Sequence, residues 1–401
     1  MEVDEWAIGQ RIASYRVRRG LTQDELAGLV GISLSMMKKI ESGDRLVTRF
    51  SQLVNFAQVL RVKDLRELTG VPLPLMPDGK RGHPRAETVR TAVLSRGHGV
   101  AFTTLDDLEA QLGRAWDTWQ SPSAFRYDAL GQYLPGLIGL AQAGVNALEG
   151  SDRKAALGLA SSAYQLARTW TKRVGEYELS LLVADRAVSC AFDADDPDLT
   201  GAAAWNLAMI LSAQGETSQA RSVVSQAIEQ LRRHLDDASP ARLAVFGGLH
   251  LMGATEAARE DDADGSDHLL NEAATIAARV GETNHHRMVF GPTNVALHRI
   301  STTVELGRTA QALELAERTV PAGAASVERR LTYHLDAARC YARQKNQVAA
   351  VHMLSRVHRE SPEELRFNSV ARELLRQLSG TARATIRAGL QPLLTAADLP
   401  R

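Results

Sequence analysis

Ser33, Ser35, Lys38 and Lys39 are interleaved with Leu34 and Met36 inside a run of seven residues. On a helix, Leu34, Ser35, Lys38 and Lys39 point outward with Met36 at the edge, while Met37 and Ile40 point inward. Hydroxyl and ammonium donors beside an apolar side chain suit base edges, thymine methyls and phosphates. An ordinary three-helix core with a solvated charged face uses the same residue types. The elements that position them must therefore decide.

Ile8, Ile12 and Tyr15 give a preceding helix one apolar face, and Gly20 ends it. Thr22 is a good N-cap for the next, and Glu25 three residues on completes a capping box. Leu26, Ala27 and Val30 form that helix's buried face, and small Ala27 admits a close neighbour. Gly31 allows the left-handed turn that a branched residue adopts only at a cost. Ser33 caps the third helix and Gly43 stops it. This order of cap, core and turn is a helix-turn-helix, which holds one short helix in the DNA major groove.

At these residues, over Trp6 to Gly70, the chain resembles the phage-repressor type of helix-turn-helix, the xenobiotic-response-element family. The resemblance implies a five-helix head. It also implies that Gln23 holds a backbone phosphate and that Arg16 pairs with Glu41 near the phosphates. By the same resemblance Leu34, Ser35 and Lys39 read bases, while Arg45 and Arg49 lie along the phosphates or minor groove. Leu34 and Met36 depart from the polar readers common in that family, so no operator sequence carries over.

Net charge is zero, but it divides unevenly. Residues 1–100 hold sixteen Lys or Arg against eleven Asp or Glu, and the remainder holds thirty-one against thirty-six. The basic excess lies where the groove reader lies. Cys190 and Cys340 are far apart with no second ligand nearby, as expected of small buried apolar residues in a reducing compartment. No apolar run approaches the ~18 residues of a membrane span, and Met1-Glu2-Val3-Asp4-Glu5 is acidic, unlike a signal peptide. A cytoplasmic location and no membrane partner are expected.

The stretch from Gly70 to Arg85 is basic and rich in Pro and Gly, and reads as a linker. Glu87 to Leu94 has the pattern of a short helix, and Gly97-His98-Gly99 is another break. Lys80, Arg81 and Arg85 either touch phosphates outside the main site or belong to a solvated hinge. From Thr103 onward helical periodicity is almost continuous. Trp205, Leu207, Ala208 and Leu211 lead through Gly215 to Ala220, Val224 and Ala227, a hairpin of the tetratricopeptide type. Weaker copies turn near Asp261-Asp262, at Gly307 and at Lys345, while the region before Asp198 fits no register. The expected fold is all-α: a head over 1–70, a linker over 71–102, and a tetratricopeptide-like α-solenoid of six or seven hairpins over 103–401. A plain bundle is the alternative.

A head and body of these kinds resemble bacterial regulators whose repeats bind a signalling peptide or small effector, as in quorum sensing. Other members of that broad group recruit a partner protein instead. Stacked hairpins present a concave groove, and its lining maps to Trp205, Met209, Asn294, Leu297, Ser301, Arg339 and Arg343. The polar and aromatic run from His285 to Asn294 adds His286 and Phe290. Asn294 and Arg343 suit a peptide backbone or carboxylate, and Trp205 and Met209 suit apolar contact. Pro292 fits a first helical turn, whose free N–H groups would face an anion. Polar loops and satisfied buried histidines are the simpler reading of the same residues.

The sequence has no Walker phosphate loop, no Gly-x-Gly-x-x-Gly after a strand, no nucleophile elbow and no His-Glu-x-x-His. Adjacent His285 and His286 diverge by ~100° on a helix, and His352 and His358 miss the spacing of a metal pair. No catalysis, metal or cofactor is expected. A single head covers only ~600–1,000 Å² of DNA. The expected partners are therefore double-stranded DNA as an inverted repeat, an effector, and a second copy of the chain in a homodimer.

Overall fold

A computed structural model describes residues 5–47, 50–62, 65–69, 82–236, 238–321 and 326–399. Among them every regular element is helical, apart from an isolated bridge between Thr283 and Phe290. The head comprises α1 (Glu5–Arg18), α2 (Gln23–Val30), α3 (Leu34–Ser42), α4 (Phe50–Val59) and α5 (Arg66–Thr69). The predicted capping box is present: the Thr22 side chain accepts from the Glu25 N–H, and the Glu25 carboxylate accepts from the Thr22 N–H at 2.7 Å. Gly31 is left-handed at φ 73°. Ile8, Ile12, Leu26, Met37 and Ile40 are buried together with Phe56, Leu60 and Leu68 from the later helices.

α1 crosses α3 at Gly9, where an added Cβ would lie far inside van der Waals contact with the Ile40 carbonyl oxygen. Gly9→Ala should therefore force the two helices apart, at about 1–3 kcal/mol for an overpacked core. Calorimetry on the full-length protein should show an earlier head transition. An unchanged melt would mean that the helices separate freely there.

The body begins with α6 (Ala86–Ser95) and α7 (Leu105–Gln120), followed by the long pair α8 (Arg126–Ala147) and α9 (Gly150–Arg173). Next come α10 (Tyr177–Asp193), α11 (Pro197–Gln214), α12 (Thr217–Arg232), α13 (Pro240–Arg259) and α14 (Ala263–Val280). Then follow α15 (Pro292–Glu305), α16 (Thr309–Arg318), α17 (Val327–Arg343), α18 (Gln347–Glu360), α19 (Pro362–Phe367), α20 (Ser369–Gly380) and α21 (Ala384–Ala396). α6 lies in the span read as linker. Its Val89 and Val93 are fully buried in the first core cluster, against α8.

Each predicted hairpin turn contains one left-handed residue: Gly215, Asp261, Gly307 and Lys345. Lys345 takes φ 59° despite its Cβ, so the missing glycine does not undo the turn. Ala208, Ala220 and Ala227 are buried, letting α11 and α12 close together. Alternate helices α9, α11, α13, α15 and α17 pack on one another in sequence as an inner layer.

That layer curls until the body's ends meet. Arg126 and Glu364 are both fully buried and pair at 2.8 Å, and the Tyr127 hydroxyl donates to the same carboxylate at 2.7 Å. Arg173 also pairs with Glu364, and the Tyr127 and Asp128 N–H groups donate to Glu363. Burial works against the Glu364 charge, but Arg173 and Arg126 hold its carboxyl down at about 2. The α7–α8 end is thereby joined to α19, making the solenoid a closed ring.

Candidate functional site

The capped start of α3 faces the body. Ser33 caps the helix by accepting from the Met36 N–H at 3.1 Å. Ser35 and Lys38 are exposed and Leu34 is half-buried. Met36, placed at the edge by its spacing, is instead buried in the head core beside Met37, because α3 sinks deeper between its neighbours than one apolar stripe implies. Gln23 donates to Glu41 at 2.8 Å, and Arg16 forms a two-pronged pair with the same carboxylate at 2.6 and 3.0 Å. Arg49 lies outside the described residues, as do Lys80 and Arg81. Arg85 is paired with Asp128 at 3.0 Å.

Hairpin turns of the body face this helix. Asp261, in the α13–α14 turn, accepts from Lys39 at 2.8 Å and from the Ser33 hydroxyl at 3.2 Å. Arg45 lies 3.9 Å from the same carboxylate and donates to the carbonyl of Arg259 at 2.6 Å. Partial burial works against the Asp261 charge, but bonds from Lys39 and from Ser35 and Ser33 hold its carboxyl below the usual range. The α15–α16 turn touches the head as well, at Gly307 against Asp44. Ser33 and Lys39 thus bond to the Asp261 carboxylate, with Arg45 beside it.

Inside the ring the inner helices enclose a cavity of about 420 Å³, within the ~300–1,000 Å³ range of small-molecule sites. Trp205, Met209, Asn294, Leu297, Ser301 and Arg339, expected from the repeat register, and His286, expected from the polar run, all line it. Phe290 and Arg343 do not. Phe290 turns into the core because Gly247 leaves room for its ring and Gly248 for Met288. At the start of α15 the Thr293 N–H already donates to a carboxylate of the chain itself, Glu282, at 2.7 Å.

The loop before α15 is strained. His286, Arg287 and Val289 all have positive φ, at 48°, 59° and 52°. Such a conformation costs a β-branched residue of order 1–3 kcal/mol and persists only where its surroundings impose it. Here the loop is tied down by Arg287 to Asp117 at 2.7 Å and by Asn284 to Gln120 at 2.8 Å. The strain places His286, Arg287 and Met288 on the cavity wall.

Charge in the wall is unevenly matched. Ser301 donates to Asp336 at 2.5 Å, and Arg339 lies 3.5 Å from both Asp336 and Glu305. Burial works against Glu305, but Arg339, Arg259 and Arg45 hold its carboxyl at about 2. Burial and then Arg329 push His298 down to about 3, so it is neutral. Arg168, Lys172 and Arg329, which the sequence reading missed, also line the cavity. Burial pushes the thiols of Cys190 and Cys340 up to about 11, leaving them unreactive. No helix among the described residues is long and apolar enough to cross a membrane.

Residues 7–68 match a family described as a helix-turn-helix domain. No curated protein matches the chain in sequence. Among solved structures, the chain is similar to PlcR of Bacillus thuringiensis, determined in complex with the peptide PapR7 and DNA. Identity is 14% and the TM-score 0.31, over 85% of this chain and 98% of that one. It is also similar to the apo form of the competence regulator ComR from Streptococcus vestibularis. There identity is 10% and the TM-score 0.28, over 99% of each chain. The chain carries a helix-turn-helix DNA-binding domain on a helical body, the architecture of a transcriptional regulator.

Proposed function

We propose that the protein is a sequence-specific transcriptional regulator whose body withholds the DNA-reading helix until an effector enters the ring. The observation that carries this reading is the Asp261 carboxylate on Lys39 and Ser33. Those two side chains cannot hold Asp261 and DNA at once. Arg259 supports the link to the cavity: its carbonyl accepts from Arg45 of the head while its guanidinium, paired with Glu256 at 3.1 Å, lines the cavity wall. A ligand that repositions Arg259 acts on the head through a single residue. To shift the balance it must favour the released state, since equal affinity for both states changes nothing.

In the released state Ser35 and Lys39 read bases, and Gln23, Lys38, Arg45 and Arg49 lie along phosphates. Two copies bind an inverted repeat with half-sites ~34 Å apart, because one head covers too little DNA for tight binding. A duplex selected from random sequence by the full-length protein tests these roles. Lys38→Ala should weaken binding to all sequences alike and reduce the salt slope by about one. Ser35→Ala should change base preference, at ~1–3 kcal/mol for a lost contact. If neither variant alters binding, α3 does not read DNA. Sedimentation of the complex tests the dimer, and a single copy on the selected duplex would refute it.

A further inference from the structure

Seven Lys or Arg line the cavity against three Asp or Glu. Four of those cations have carboxylate partners: Arg173 with Glu328 and Glu364, Arg259 with Glu256, Arg287 with Asp117, and Arg339 with Glu305 and Asp336. The other three, Arg168, Lys172 and Arg329, have none among the described residues. Arg168 is only 3% exposed, yet its partners are neutral: the Asn206 carbonyl oxygen and, at 3.9 Å, the Met209 sulfur. Its Nε has no hydrogen-bond partner among the described residues. Arg329 donates to the Met288 carbonyl at 3.2 Å and approaches neutral His298 at 3.5 Å. Lys172 makes no hydrogen bond or ion pair among the described residues.

A protein does not ordinarily collect half-buried cations around empty space, because each charge taken from water needs a counter-charge. Burial depresses all three, only partly offset by the pull of Glu328: Arg168 falls to about 9, and Lys172 drops well below the usual ammonium range. The Trp205 ring adds a negative face near two of them, with the Arg168 guanidinium 6.0 Å and the Arg329 guanidinium 5.6 Å from its centroid. An indole face is a weak substitute for an anion. Buried Asn294 also lines the cavity with an unpartnered carbonyl oxygen, which suits a hydroxyl or amide donor on the same ligand.

We propose that the cavity binds a small organic dianion, carboxylate or phosphate, whose charged groups pair with Arg168, Lys172 and Arg329 while its apolar part lies against Trp205 and Met209. This rests on the reading of the cavity as an effector site and gives that effector a chemical class. Three unmatched cations call for more than one negative charge. The planar guanidinium groups suit two-pronged contact with a carboxylate or phosphate.

The test uses full-length protein with three probes, phthalate, citrate and inorganic pyrophosphate, at constant ionic strength. Neutral dimethyl phthalate and sodium chloride are the controls. At least one anion should bind saturably in calorimetry and raise Tm, and the controls should do neither. Arg168→Gln and Arg329→Gln should each weaken that binding at least tenfold, whereas Arg318→Gln, an exposed residue paired with Glu314 away from the cavity, should not. Preference for pyrophosphate over both organic acids would assign the anion as phosphate, and the reverse as carboxylate. Lys172→Met should weaken anion binding yet raise the Tm of the unliganded protein, since it removes an unmatched charge. Binding by none of the three anions, or a lowered Tm for Lys172→Met, would overturn the proposal. DNA affinity measured on the same samples separates the two readings. Anion binding that leaves DNA affinity unchanged removes the effector role alone, and absent anion binding with an intact Asp261 effect removes the anion alone.

Discussion

Replacing Asp261 with alanine should raise the affinity of the full-length protein for its selected duplex about 5–150-fold, the range of a coupling of ~1–3 kcal/mol. The carboxylate is only 4% exposed where it meets Lys39, so the contact is poorly screened by solvent and salt. Its removal frees Ser33 and Lys39 together and weakens the hold on Arg45. Because the Asp261 carboxyl lies below the usual range, its contact is complete at neutral pH. It fades only as pH falls through that lowered value. Equal affinities for Asp261→Ala and the unaltered protein in fluorescence anisotropy would show that the body does not restrain the head.

Glu364→Gln should be the most damaging single change in the body. It leaves Arg126, fully buried beside Trp119 and Tyr127, without its counter-charge. Breaking one partner of a buried pair costs about 3–5 kcal/mol. The pH dependence has a definite sign. The Glu364 carboxyl is held at about 2 when folded, below its ordinary value. Its contribution is therefore fully present above that ordinary value and is lost as pH falls toward about 2. Glu364→Gln should flatten this acid limb of stability. Urea unfolding followed by tryptophan fluorescence reads both effects, and a loss below ~0.5 kcal/mol would mean that the ring is held elsewhere.

The local devices were legible because each is written within a few residues. The Thr22–Glu25 box, the Gly31 turn and the four hairpin turns all follow from adjacent residue types, and Lys345 was recognised from the register around it. Where contact depends on residues far apart, the pattern is silent. Asp261 reads as a turn residue, and nothing in the periodicity links it to Lys39, which lies 222 positions away. Phe290 looked like a groove aromatic because the space that receives it is made by Gly247 and Gly248 on another helix. Arg168 and Lys172 were missed for a different reason. The stretch before Asp198 has no repeat register, so α9 could not be assigned to the inner layer.

The Arg126–Glu364 closure also limits how this body can change over evolutionary time. An open solenoid gains or loses a repeat at modest cost, since each unit contacts only its neighbours. Here one more hairpin would carry Glu364 past Arg126, and one fewer would leave it short. Either change would strand two buried charges. Duplication and deletion of whole hairpins are therefore barred, and lengthening is confined to surface connections that leave the circumference unchanged. Relatives that keep this ion pair should share one hairpin number whatever the divergence of their cavities, and a relative with a different number should have lost both charges together.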